Sequence, residues 1–342
     1  MLAKQECLRV AEPNHTVAAV WGRFKNVMDL DEIGPDTFRR RVNRTSRRES
    51  TTHFCYPGYW IWFIAISQEV VSVGIVMDRA AGWQEALRKA EGFLDFLKQH
   101  HAAWSLLQDA ELLDLGIFQH LPYGTRQFFS PNRWGLTGES AAFTDPFYSP
   151  GSDFIALEND FLTNLIRHEE EGASRQHLHH LVNLSNSYMQ FRYEASMYLY
   201  RDLYSLFGSY ELIKLQFQLD LPLYYHRWLS EFMRDLHLNE EFLANQVQEQ
   251  QQVLNALSTF SQLFQKVERH LRETKAVFRG NLGNFTDALE GIGWVREIGQ
   301  PTASEQSLNR LREIFRRGFE QANNLLETRL GEPRGQPLSS IS

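Results

Sequence analysis

The sequence predicts an α+β fold, an antiparallel sheet followed by a mostly helical half, and three observations carry that expectation. Strand-like apolar runs occupy the first third, at Val17 to Phe24, Tyr59 to Ile66 and Val70 to Met77. A strand, turn and helix follow between Arg133 and Leu165. After Arg167 no convincing strand remains, and apolar residues recur at three- and four-residue steps. The expected organisation is a partial substrate-binding sheet with covering helices over 1–130 and the strand–turn–helix over 131–167. A helical domain over 168–330 and a disordered tail over 331–342 complete it.

Taken in order, Ser67-Gln68-Glu69 separates two apolar runs by a length that suits a hairpin. Trp83, Ala86, Leu87, Ala90, Phe93, Leu94 and Leu97 mark an amphipathic helix that would cover the sheet. Trp60 and Trp62 alternate, so on a strand both face one side, with Ile61 and Phe63 on the other. Trp134 to Thr137 reads as a short strand closed by Gly138. Ser149 suits an N-cap and Pro150 the first helical position, where its missing N–H costs nothing. Phe154, Leu157, Phe161 and Leu165 then line one helix face, and Glu169-Glu170-Glu171-Gly172 ends it. Helices are expected over Gln176 to Phe207 and Tyr210 to Leu219, with Pro222 as punctuation. Leu243 to Leu271 and Leu308 to Leu326 carry the periodicity of two more.

The helix start at Ser149-Pro150-Gly151-Ser152 has a chemical meaning beyond packing. It aims free backbone N–H groups and a positive dipole end at an anion or an electron-rich ring edge. Gly151 lets a flat ligand approach the backbone closely. This segment, with Gly138-Glu139-Ser140-Ala141-Ala142 and Asp145-Pro146 ahead of it, resembles the GDAA…DP…S(S/T)G element of p-hydroxybenzoate-hydroxylase-like flavoproteins. It is most similar to that of the flavin-dependent halogenases and their relatives. Upstream, Trp60-Ile61-Trp62-Phe63-Ile64-Ala65 resembles the halogenase WxWxIP element, with Ala65 in place of its proline. The two motifs cover under half of the chain.

The resemblance implies the C-terminal portion of a p-hydroxybenzoate-hydroxylase-like FAD fold. It implies FAD as cofactor, with Gly138 and Glu139 on the ribityl–phosphate side, Pro146, Ser149, Pro150, Gly151 and Ser152 along the ring edge, and Asp145 among the cofactor-binding residues. Trp60, Trp62 and Tyr148 become pocket candidates, each of which could equally be packed core. Catalytic residues stay unassigned. Glu139 stands where the family usually has Asp, which moves the acceptor by a methylene and keeps its charge. Pro150 stands where halogenases often have Ser or Thr, and it offers neither an N–H nor a hydroxyl to a halide. A GxGxxG turn after an N-terminal strand is not found; Gly291-Ile292-Gly293 lacks the preceding strand and reads as a turn. Against the family layout the chain is therefore expected to begin inside the substrate domain.

Bulk properties bound the alternatives. A chain of 342 residues with 43% hydrophobic and 23% charged residues has the composition of a soluble globular protein and can bury a core. A net charge of −7 argues against nucleic acid as a partner. Cys7 and Cys55 give neither a disulfide framework nor metal spacing, so a reducing cytoplasm is expected. The apolar run Tyr59 to Ile66 is too short to span a bilayer. Arg39, Arg40, Arg41, Arg44, Arg47 and Arg48 read as a solvated loop balanced by Asp29, Asp31 and Glu32, with a phosphate or carrier contact as the alternative. His168, His177, His179 and His180 lack a carboxylate or cysteine to complete a metal set, so no metal is expected.

The resemblance then implies an FAD-dependent monooxygenase or halogenase-like oxidoreductase, working through a flavin hydroperoxide on an aromatic or carrier-tethered small molecule. A separate flavin reductase and a separate N-terminal FAD-binding half would be its partners. Two alternatives stand beside it: a non-catalytic flavoprotein relative serving as an interaction module, and a flavin-dependent isoprenoid-type reductase.

Overall fold

The computed structural model describes residues 2–40, 42, 45–281 and 304–327. A short strand β1 (Arg9–Ala11) and the long β2 (Val17–Lys25) are followed by β3 (Thr52–Tyr56), β4 (Tyr59–Ala65) and β5 (Val70–Asp78). Helices α1 (Ala90–Lys98) and α2 (His101–Ser105) precede β6 (Glu111–Phe118) and β7 (Tyr123–Thr125). The central sheet has the order β3-β4-β5-β2-β6 with antiparallel neighbours throughout, and β1 pairs with β7 outside it. The three strand runs read from the sequence are thus β2, β4 and β5. Strands β3 and β6, at the sheet edges, carry weaker apolar signals and were not anticipated.

Period-two alternation sorts the side chains onto two faces. Val20, Phe24, Ile61, Phe63, Val73 and Ile75 meet Phe93, Phe96 and Leu97 of α1 and Ala103 of α2. Phe93 is fully buried there, worth roughly 1.5–3 kcal/mol against exposure. The opposite face carries Val17, Ala19, Trp60 and Val76 against Phe147, Tyr200, Tyr204 and Phe207. Trp62 and Trp21 flank Gly74 in register, and a Cβ on Gly74 would stand 2.3 Å from the Trp62 ring and 2.5 Å from the Trp21 Cβ. Glycine at this point lets two indoles lie across the strand. The helix expected from Trp83 onward begins only at Ala90, because Glu85–Arg88 forms a separate 3-10 turn before it.

The helical half comprises α3 (Gly151–Glu170), α4 (Arg175–Tyr200), α5 (Tyr210–Leu223), α6 (Glu240–Glu273) and α7 (Ser304–Leu326). Ser174 caps α4 by accepting the His177 N–H, and Asn239 caps α6 by accepting the Phe242 N–H. Gly172 ends α3 in the left-handed region (φ 86°), where the Ala173 N–H reaches the His168 carbonyl. Pro222 does not end its helix. It lies inside α5, and the bond its nitrogen cannot donate is followed by a π-helical turn, Tyr224–Leu229.

Phe154, Leu157 and Phe161 of α3 pack with Tyr188, Met189 and Phe191 of α4 and Leu243 of α6. Leu8, Phe128 and Phe129 join the same core, so the helices are built onto the end of the sheet region. A second helical core unites Leu212, Leu215 and Leu219 of α5 with Phe260, Phe264 and Val267 of α6 and Ala322 of α7. Among the described residues no helix is long and apolar enough to cross a membrane. Arg41, Arg44, Gly291 to Gly293, the Leu308 side chain and the tail 331–342 lie outside the described residues.

Candidate functional site

The segment before α3 is shaped by short-range contacts. β8 (Phe129–Ser130) pairs with β9 (Trp134–Gly135) around Arg133, which has φ 61°. The strand expected over Trp134 to Thr137 is cut to two residues, because Thr137 becomes the cap of a 3-10 turn, Gly138–Ser140. Gly135 lies against α3, where a Cβ would meet Leu162 at 2.3 Å. Gly138 takes φ 57° and donates its N–H to Glu158 Oε2 at 2.5 Å. The Tyr123 hydroxyl donates to the Glu139 carbonyl at 2.6 Å, leaving the Glu139 carboxylate exposed.

The turn into α3 differs by one residue from the expected one. Ser149 adopts φ 53°, and its hydroxyl faces the Pro146 carbonyl at 3.5 Å instead of capping the helix. Pro150 occupies the N-cap and α3 starts at Gly151. The first N–H to bond back is that of Phe154, onto the Pro150 carbonyl at 3.1 Å. The preceding N–H groups are the usual orphan donors of a helix start.

These turns close around a cavity of about 300 Å³. Gly138, Glu139, Asp145, Pro146, Ser149, Pro150, Gly151 and Ser152 all line it, with Phe143, Phe154, Ile155 and Tyr193 supplying apolar wall. Among the described residues nothing outside its chain neighbours lies within 4 Å of where a Gly151 Cβ would be, so the helix backbone is open to a flat ligand there. The Asp145 side chain is itself fully buried. Its buried carboxylate accepts from the Phe147 N–H at 2.9 Å and from the Tyr204 hydroxyl at 2.8 Å, and pairs with His15 Nε2 at 2.8 Å.

Trp60, Trp62 and Tyr148 lie off this cavity. Trp60 and Trp62 do share a sheet face, but Trp60 is buried against Phe147, with ring centroids 5.2 Å apart. Its indole N–H donates to the Tyr204 hydroxyl at 3.0 Å. Half-buried Trp62 donates to Ser72 Oγ at 3.1 Å. His53 is sandwiched between Trp60 and Phe147, at 4.7 and 4.8 Å, and burial drops its pKa to about 4. Tyr148 turns to the far side of the Ser149–Pro150 turn, where its hydroxyl donates to Asp220 Oδ2 at 2.6 Å in a second cavity of about 230 Å³. Burial pushes the Asp220 carboxyl up to about 7 despite donors from Tyr148 and Gln216.

Glu158, Tyr204 and Asp220 were not singled out from the sequence. For Glu158 a signal exists: it falls on the Phe154–Leu157–Phe161 face of α3, where a carboxyl is out of place. Burial pushes its pKa up to about 8. In the basic loop Arg47 pairs with Asp31 at 2.6 Å as expected, whereas Arg39 pairs with Asp36 at 2.5 Å, an acid outside the expected set. No group of three metal-ligating side chains gathers among the described residues.

An antiparallel sheet joined to a strand–turn–helix and a helical half is a fold this chain shares with solved flavin-dependent halogenases. Over 224 residues it is 26% identical to the flavin-dependent halogenase chlA of Dictyostelium discoideum, covering 65% of this chain and 36% of that protein. Halogenase PltM shares the fold at TM-score 0.55, with 15% identity over 94% of this chain and 62% of that one. The flavin-dependent brominase Bmp2 matches at TM-score 0.50, with 16% identity over 76% of this chain and 60% of that one. The chain thus spans about a third of the curated relative and under two thirds of these structures. No family model matches it.

Proposed function

We propose that this chain is the flavin-contacting and substrate-facing part of an FAD-dependent, halogenase-like oxidoreductase acting on a small aromatic molecule. The observation that carries this reading is the cavity formed by Gly138, Glu139 and the turn from Asp145 to Ser152, opening on the start of α3. The residues fit a flavin ring: the bare Gly151 leaves room for a flat edge, and the first-turn N–H groups suit its electron-rich pyrimidine side. Gly138 and Glu139 would face the ribityl end, and Phe143, Phe154 and Tyr193 would exclude water from the ring. FAD, when bound and reduced, supplies the electrons that activate oxygen; the protein binds, orients and shields. Support also comes from halogenase PltM, whose structures include a complex with phloroglucinol and FAD. A flavin reductase would deliver the reduced cofactor.

Titrating the 342-residue chain with oxidised and reduced FAD, following flavin fluorescence and elution volume together, tests the reading. Saturable binding to a monodisperse protein is the expected result. A well-folded chain that leaves FAD free would favour a non-catalytic interaction module. That second reading draws on Asp145, whose carboxylate is already committed to His15, Tyr204 and Phe147.

A further inference from the structure

We propose that the second cavity, behind the Ser149–Pro150 turn, binds a single-ring aromatic carboxylate whose acid group pairs with Arg192. Arg192 of α4 is 6% exposed and lines this cavity. A guanidinium withdrawn from water needs a counter-charge. Among the described residues no carboxylate comes within 4 Å of it; its contacts are the Trp228 ring face at 4.1 Å and the Tyr188 hydroxyl at 3.4 Å, and its Nε has no partner. Asp153 in the same wall and the buried Glu231 act on its charge only from beyond that distance, and both wall acids take their hydrogen bonds from other groups. Asp153 accepts the Tyr224 hydroxyl at 3.2 Å, and Asp220 accepts Tyr148 and Gln216.

The remaining wall suits a ring. Tyr200, Tyr224, Tyr225 and Trp228 surround the space, and flat aromatic walls favour offset or edge-on stacking. The volume of about 230 Å³ exceeds the roughly 150 Å³ that holds a benzene molecule, leaving room for one acid group. A carboxylate can meet the guanidinium through two parallel N–H bonds, which fixes the ring's orientation as well as its affinity.

Ser149, Pro150 and Phe154 line both cavities, so a ligand here would lie across one turn of backbone from the first. That placement gives the site a substrate's role only if the flavin reading holds. The binding itself does not depend on it. A free acid held by Arg192 would also distinguish this chain from enzymes that take carrier-tethered substrates, whose acid is consumed in the link to the carrier.

Calorimetric titration of the full chain with benzoate, benzamide and acetate tests the proposal. Benzoate should bind saturably and at least about tenfold more tightly than benzamide, the scale of a lost charge-assisted hydrogen bond, and than acetate, which keeps the charge but lacks the ring to bury. Arg192→Met should bring benzoate down to the level of benzamide, and Arg192→Lys should retain part of the difference. Should Arg192→Met fail to fold, Ser196→Leu fills the cavity from its half-buried wall and should abolish benzoate binding. Absence of benzoate binding, equal binding of benzamide, or unchanged binding in a folded Arg192→Met or Ser196→Leu variant overturns it. FAD titrated in parallel separates the two readings: FAD bound without benzoate sinks this one alone, and benzoate bound without FAD sinks only the other.

Discussion

Tyr204 donates its hydroxyl proton to Asp145 at 2.8 Å while accepting the Trp60 indole N–H at 3.0 Å. Two segments that resemble separate halogenase motifs, one on strand β4 and one in the loop before α3, are therefore joined by a single phenol from the helical half. His15 completes the arrangement at the start of β2. The carboxylate acts as a hub that holds the loop in register with the sheet.

Tyr204→Phe removes that link and leaves a buried indole N–H unpaired. The variant should lose about 1–3 kcal/mol of stability, the cost of an unsatisfied buried donor. FAD affinity should fall with it, since the loop carrying Pro146 to Ser152 loses one of its anchors. Chemical denaturation and FAD titration of the two proteins side by side check this; equal stability would mean Asp145 is held by His15 and Phe147 alone.

Gly151→Leu addresses the cavity without disturbing the fold. Among the described residues nothing outside its chain neighbours lies within 4 Å of the new Cβ, and Gly151 is the first residue of α3, where a side chain is not strained. Stability should change by under about 1 kcal/mol, the helix-propensity scale for replacing glycine. Flavin binding should drop by tenfold or more, because the side chain stands where the ring edge would approach. Thermal melts that stay superimposable while FAD affinity is unaltered would locate the ring elsewhere.

Glu158 makes a pH prediction. Its carboxyl moves from 4.5 to about 8 through burial, so the native state holds the proton more tightly than the unfolded chain does. Stability linked to this group is complete below about pH 4.5 and is lost as pH rises through 8, by at most about 1.4 kcal/mol per pH unit. Glu158→Gln keeps an acceptor for the Gly138 N–H without titrating. The variant should match the wild type near pH 5 and exceed it above pH 8; parallel melting curves across that range are the check. The difference between the two proteins isolates Glu158 from Asp220 and Glu231, which burial pushes the same way.

Gly74→Ala should be among the most damaging single methyl additions in the sheet. The new Cβ would sit 2.3 Å from the Trp62 ring and 2.5 Å from the Trp21 Cβ. Strands β4, β5 and β2 would have to spread, at a cost of about 1–3 kcal/mol. The midpoint of urea unfolding measures it, and a near-neutral effect would show that the two indoles can swing aside.

Much of the architecture was legible in the sequence. Alternation in Tyr59 to Ala65 separated Trp60 and Trp62 from Ile61 and Phe63 because a pleated strand has a strict period of two. The residues from Gly138 to Ser152 could be marked as a group because their glycines, prolines and small side chains encode local backbone shape. What local rules blurred were the ends. Ser149 and Pro150 each suited a position one residue further along, and Pro222 was read as a stop although the surrounding helix tolerates it with a π turn.

The sequence by itself determined the runs that form β2, β4 and β5 and the long periodic helices, and which short stretch resembles a flavin-contacting turn, since these are written in neighbours a few residues apart. Only the tertiary structure decided that Asp145 faces inward to His15 and Tyr204, that Tyr148 bonds to Asp220 off the first cavity, and that Arg192 is buried with no carboxylate within 4 Å among the described residues. Asp145 lies 130 residues from His15 and 59 from Tyr204. No periodicity reaches across such distances; packing of the helical half onto the sheet brings those groups together and sets which of them keep water and which must find a partner.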